Sequence, residues 1–207
     1  MRPLTLERPK PLLEVHGKAL IEHHIDALAK AGVAELIINV SWLGEQIVQH
    51  CGDGSRWGIR LRYSRESEPL ETAGGIVQAL PWLGDRPFLV VNADTYTDYP
   101  FARLLGKPLK RAAARLVLVA NPGHNRAGDF SLRGDQLTRD GERSLTFSGI
   151  GLYHPQFFNG CPEGRLPLLP LLEQAAQEHR LFGERYHGAW TDVGTPERLA
   201  ELNASGT

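Results

Sequence analysis

The chain has 207 residues, 42% of them hydrophobic, which is enough for a substantial core and predicts one domain over 1–207. Its 23 Lys and Arg nearly cancel 24 Asp and Glu, and no basic block stands out, so the electrostatic footprint of a nucleic-acid partner is absent and any bound phosphate must be held locally. No apolar run approaches the roughly 18 residues of a membrane span, and the start lacks the layout of a signal peptide, so no membrane partner and a cytoplasmic location are expected.

In chain order, Ala19 to Ala31 reads as a helix, because Ile21, Ile25 and Leu28 recur on one face and Gly32 supplies a stop. Glu35 to Val40 reads as a buried strand and Leu43 to His50 as a second helix. After the turn-rich Gly52-Asp53-Gly54-Ser55, Ile59 to Tyr63 alternates as a strand does. A short helix, Ile76 to Leu80, is expected after Gly74-Gly75, followed by the apolar strand Phe88 to Val91, of the kind buried in parallel sheets. This α/β alternation predicts a layered parallel sheet. Beyond about Arg115 the texture turns strand-like: Leu116 to Ala120, Phe130 to Leu132 and Leu145 to Tyr153, with one long helix from Pro167 or Pro170 to His179. No linker, repeat or low-complexity stretch divides the chain.

The chemistry starts at Asp94, which ends the run FLVVNAD. Ligands of open α/β sheets collect at the carboxyl ends of strands, and a carboxylate there can hold a magnesium ion otherwise ligated by phosphates and water. The plainer reading is an Asp capping the turn into Thr95-Tyr96-Thr97. Asp192 is the second candidate, in the strand-like Trp190-Thr191-Asp192-Val193 ahead of Gly194 and of Thr195, an expected N-cap for the helix Glu197 to Leu202. A carboxylate in that apolar setting needs a partner, either a cation shared with Asp94 or an arginine. Gly74-Gly75 suits close backbone approach to a ligand, with free N–H groups in the helix that follows, or else a plain strand-to-helix turn. The eight histidines lack metal-binding spacing and read as helix-surface and loop residues; Cys51 and Cys161 form neither a zinc motif nor a disulfide framework.

Four segments in order carry a resemblance: Lys10 within Pro9-Lys10-Pro11-Leu12-Leu13, Glu71-Thr72-Ala73-Gly74-Gly75, Asn92-Ala93-Asp94 and Trp190-Thr191-Asp192-Val193-Gly194-Thr195. Together they resemble the sugar-1-phosphate nucleotidyltransferases, and the likeness runs over almost the whole chain. The resemblance implies a Rossmann-like, glycosyltransferase-A-like layered sheet in one nucleotidyltransferase domain. It assigns Lys10 to the phosphates, Asp94 and Asp192 to a magnesium ion, and Glu71, Thr72, Ala73, Gly74, Gly75 and Asn92 to the nucleotide. Ala93 stands where relatives usually show glycine.

The stretches GDGSRWGIRLRYSRESEPLETAGGI from Gly52, NPGHNRAGDFSL from Asn121 and LTFSGIGLYHP from Leu145 are similar to members that act on an N-acetylated muramic sugar. That likeness implies uridylyl transfer from UTP to N-acetylmuramic acid 1-phosphate, with release of pyrophosphate, in cell-wall peptidoglycan recycling. Asn121, Asp129, Ser148 and Gly149 fall in its sugar-facing segments, where short polar groups suit hydroxyl or acetamido recognition, although turn chemistry explains Asn121 and Asp129 equally well. The alternatives are glucose 1-phosphate with dTTP, mannose 1-phosphate with GTP, or a relative that binds nucleotide or sugar without catalysis. The Arg2 to Leu13 segment resembles only the second half of the family signature. The resemblance therefore implies a first apolar strand and a glycine-rich, arginine-bearing loop upstream of Met1, and without them the chain is expected to be less stable and nearly inactive.

Overall fold

The computed structural model describes residues 1, 4–111 and 113–205, so Arg2 and Pro3 of the signature segment lie outside the described residues. In chain order the regular elements are α1 (Leu4–Glu7), β1 (Glu14–Val15), β2 (Lys18–Ala19), α2 (Leu20–Lys30), β3 (Glu35–Val40), α3 (Gly44–Cys51), β4 (Arg60–Arg65) and α4 (Glu71–Leu83). They continue with β5 (Phe88–Val91), β6 (Thr95–Thr97), α5 (Phe101–Leu105), β7 (Ala114–Ala120), β8 (Ser131–Arg133), β9 (Gln136–Thr138) and β10 (Leu145–Tyr153). The last four are α6 (Leu168–Gln177), β11 (Leu181–Arg185), β12 (Trp190–Asp192) and α7 (Pro196–Ala204).

Two compact units are present, each assembled from separated stretches of chain. The first comprises Met1–Pro69, Ala93–Ala102 and Ala189–Thr207. In it β3 and β4 pair in parallel, from Glu35 opposite Arg60 to Val40 opposite Arg65. The apolar stripe of α2 supplies Ile21 and Ile25 to a core with Val40, Ile47 and Leu61. This is the face that the i, i+4 spacing marks. A smaller cluster of Val15, Leu20 and Val193 ties the β1–β2 hairpin to the segment after β12.

The second unit comprises Leu70–Asn92 and Arg103–Gly188. Its six-stranded sheet runs β5-β10-β7-β11-β9-β8. β10 lies antiparallel to both β5 and β7, and only β11 runs parallel to β7. Helices α4 and α6 cover a core that includes Leu116, Leu118, Phe130, Tyr153, Leu172 and Leu181.

Several expectations need correction. The parallel sheet is largely antiparallel in the second unit, because an apolar run such as Phe88–Val91 reports burial and carries no information on strand direction. The helix expected to begin after Gly75 begins at Glu71, so Gly74, Gly75 and Pro81 all lie inside α4. Thr95–Thr97, read as a turn, is a strand that pairs antiparallel with β12, with Asp192 opposite Thr95. The long α6 starts at Leu168 with Pro167 as its N-cap residue, and Pro170 is accommodated in its first turn.

Candidate active site

Lys10 opens a single 3-10 turn, Lys10–Leu12, between Pro9 and Pro11, whose fixed backbone angles set its entry. Its Nζ donates to Asp94 Oδ2 at 3.3 Å, and both side chains are about two-fifths exposed, 40% and 41%. The Val193 N–H donates to the Asp94 carbonyl at 2.8 Å, which brings the residue after β12 against the residue before β6. Asp192 ends β12, and its Oδ2 accepts from Arg198 Nη1 at 2.6 Å. Lys10, Asp94 and Asp192, more than 80 residues apart at their closest in sequence, thus converge in the first unit. Two carboxylates stand at neighbouring strand ends, each facing one cationic side chain.

Thr195 caps α7 as expected, its side chain accepting from the Arg198 N–H at 3.3 Å, with Pro196 at the first helical position. His24 differs from its surface reading. It is buried, its Nε2 lies 2.6 Å from the Thr95 carbonyl, and burial lowers its pKa to about 4. The ring is therefore neutral and donates one hydrogen bond to the strand that follows Asp94.

Among the described residues no group of three or more His, Cys, Asp or Glu is arranged to hold a metal. A pair of hard carboxylate donors, part-exposed and without soft ligands, instead fits magnesium, which keeps several waters and takes one or two protein carboxylates beside phosphate oxygens.

The second unit carries the other candidates. Glu71 opens α4 with a left-handed backbone, φ 63°, unusual for a non-glycine residue, and its Oε1 accepts from Arg165 Nε at 3.1 Å and Nη2 at 2.7 Å. Thr72 is exposed, whereas Ala73, Gly74 and Gly75 are buried. The N–H groups of Ala73 and Gly74 both donate to the Leu166 carbonyl, at 3.1 Å each, and a side chain on Gly74 would collide with the Gly164 carbonyl. Close approach at Gly74 is therefore to the protein's own 164–166 loop, and with both glycines inside α4 the alternative of a plain strand-to-helix turn does not hold.

Asn92 meets Gly149: its N–H donates to the Gly149 carbonyl at 2.9 Å, and a Cβ on Gly149 would stand 2.8 Å from the Asn92 side chain. Gly149 has φ 80° and sits with Ser148 in the irregularity of β10 between Phe147 and Ile150. The Ser148 hydroxyl is buried, donating to the Val117 carbonyl at 2.7 Å and accepting from the Ile150 N–H at 3.3 Å. Asn121 Nδ2 donates to the Arg143 carbonyl at 3.0 Å, and its Oδ1 accepts from Thr146 at 3.0 Å. Asp129 accepts from Asn125 at 3.1 Å and from the Phe147 N–H at 2.8 Å. These three side chains latch the 121–129 loop and the bulge to the 143–147 segment and to β7.

The model of the Nucleotidyl transferase family matches residues 1–132, and the chain belongs to that family. It is 47% identical to the N-acetylmuramate alpha-1-phosphate uridylyltransferase of Neisseria meningitidis serogroup B, over 99% of this chain and 92% of the relative. It is 34% identical to the Caulobacter vibrioides protein of the same name, over 97% and 92%. Among solved structures, that of a candidate glucose-1-phosphate thymidylyltransferase from Bacillus anthracis shares the fold with a TM-score of 0.88 at 19% identity, covering 99% of this chain and 89% of that one.

Arg198 and Arg165 escaped the sequence reading, and His24 is misread there as a surface residue. Arg198 had a weak signal, lying one helical turn past the cap that follows Asp192, whereas Arg165 stands 94 residues from Glu71 and had none. His24 lies on the apolar side of α2, one residue before Ile25, where a ligand or surface role is less expected than a packed one.

Proposed function

We propose that the chain transfers a uridylyl group from UTP to N-acetylmuramic acid 1-phosphate, giving UDP-N-acetylmuramic acid and pyrophosphate. The observation that carries this reading is the convergence of Lys10, Asp94 and Asp192 at one pair of strand ends; the 47% identity to a uridylyltransferase over 99% of the chain supports the choice of substrates. The sugar phosphate already carries its nucleophilic oxygen, so no activated serine or cysteine is required. Lys10 places a positive charge where the α-phosphate gathers negative charge during in-line attack. Asp94 and Asp192 would hold magnesium, which when bound would supply charge neutralisation and orientation of the triphosphate. The β6–β12 pairing and the Lys10 and Arg198 contacts keep both carboxylates pre-positioned, so catalysis is mainly placement and electrostatics. A cytoplasmic site, where UTP is available, belongs to the same reading, as does a role in peptidoglycan recycling.

The test is a ratio of specificities, independent of the absolute rate. With UTP and magnesium, kcat/KM for pyrophosphate release is expected to be higher with N-acetylmuramic acid 1-phosphate than with glucose 1-phosphate, because a site that pairs with an added polar substituent leaves buried groups unmatched when that substituent is missing. Equal or better use of glucose 1-phosphate would move the chain to another sugar-phosphate specificity. Nucleotide binding with no pyrophosphate release from either sugar would identify a non-catalytic relative.

A further inference from the structure

We propose that Arg198 is a positioning residue for Asp192, and that Gly194 is glycine in order to admit its guanidinium beside the carboxylate. The inference rests on the reading of Asp192 as a cation-holding carboxylate. The 2.6 Å contact between Arg198 Nη1 and Asp192 Oδ2 is a charge-assisted hydrogen bond at its short end, made between side chains only 24% and 25% exposed. Arg198 is anchored at its base, because its own N–H is bound by the Thr195 cap in the first turn of α7.

Gly194 is the independent observation. It is absent from the glycines with positive φ, so backbone freedom does not demand glycine there. A Cβ at 194 would meet the tip of the Arg198 guanidinium and stand 2.7 Å from Asp192 Oδ1, so an alanine there is accommodated by moving these two side-chain ends out of their contact. Strand end, glycine, cap and arginine therefore form one device that fixes the direction of the Asp192 carboxylate, in the manner of outer partners that orient metal-ligating groups.

A structural ion pair between β12 and α7 would leave cation affinity alone or raise it, since removing a guanidinium removes a like charge from beside the cation. Orientation predicts the opposite sign. Manganese alone is titrated into the full chain and the bound fraction read by electron paramagnetic resonance, with thermal unfolding of each variant as the check on folding. Arg198→Gln is expected to weaken manganese binding by about tenfold or more and to lower kcat with KM for UTP unchanged. Arg198→Lys recovers only part, because an ammonium keeps the charge and loses the planar fork.

Gly194→Ala is expected to behave like Arg198→Gln, and the double variant to be no worse than the poorer single one, since both remove the same contact. Unchanged or tighter manganese binding by Arg198→Gln overturns the proposal. If that variant does not fold, unchanged manganese affinity in Gly194→Ala does so instead. Asp192→Asn separates the two readings: manganese binding at the parent level in that variant, or none in the parent chain, would refute the cation role of Asp192 itself.

Discussion

At the residue scale, each of the two candidate carboxylates faces a cationic side chain, Asp94 with Lys10 and Asp192 with Arg198. Replacing Asp94 by Asn removes charge while keeping shape, so turnover should fall by about 10²- to 10³-fold with an unchanged circular dichroism spectrum; normal turnover would end its assignment. Lys10→Ala should cost about 10²-fold in kcat, and Lys10→Met no less, because the side chain acts through charge; recovery in the methionine variant would mean packing. His24 gives a pH prediction. Its pKa is lowered by burial from 6.5 to about 4, so the unfolded chain binds a proton that the folded chain refuses between those values. Stability is unaffected above pH 6.5 and declines as the pH falls towards 4, by about 3 kcal/mol in full. His24→Gln keeps a donor for the Thr95 carbonyl and does not titrate, so its melting temperature should fall less between pH 6.5 and 4. An identical fall in both proteins would contradict the assignment.

At the element scale, α2, β3 and β10 stand within a residue of where periodicity puts them, because each carries its own pattern of apolar positions. Elements defined by distant partners were less legible. β6 is only three residues and is held by pairing with β12, from Thr97 opposite Trp190 to Thr95 opposite Asp192; its Thr-Tyr-Thr composition favours strand, but three residues are too few for alternation to show. The start of α4 was misplaced for a related reason: Gly74 lowers helix propensity, yet it is retained because the Gly164 carbonyl packs against it. Gly74→Ala should therefore destabilise the protein by about 1–3 kcal/mol despite its better propensity, read as a lower calorimetric melting temperature. A rise in melting temperature would show that the 164–166 loop yields.

At the scale of the whole molecule, the candidate site was legible as residue types and order, since Lys10, Asp94 and Asp192 were marked before any contact was known, whereas their counter-ions were not. Asn121, Asp129 and Ser148 show the limit of that reading, because a short polar side chain looks alike in sequence whatever it bonds to, and their partners, the Arg143 carbonyl, the Phe147 N–H and the Val117 carbonyl, lie on distant segments. The central proposal is that Asp94 and Asp192 hold the same cation. Its most direct test is a crystal structure of the chain with UTP and manganese, read by anomalous scattering. A single peak is expected at a bonding distance of about 2 Å from a carboxylate oxygen of both Asp94 and Asp192, with Arg198 still on Asp192. A peak held elsewhere, with the Lys10–Asp94 and Arg198–Asp192 pairs intact and neither carboxylate ligating, would contradict it.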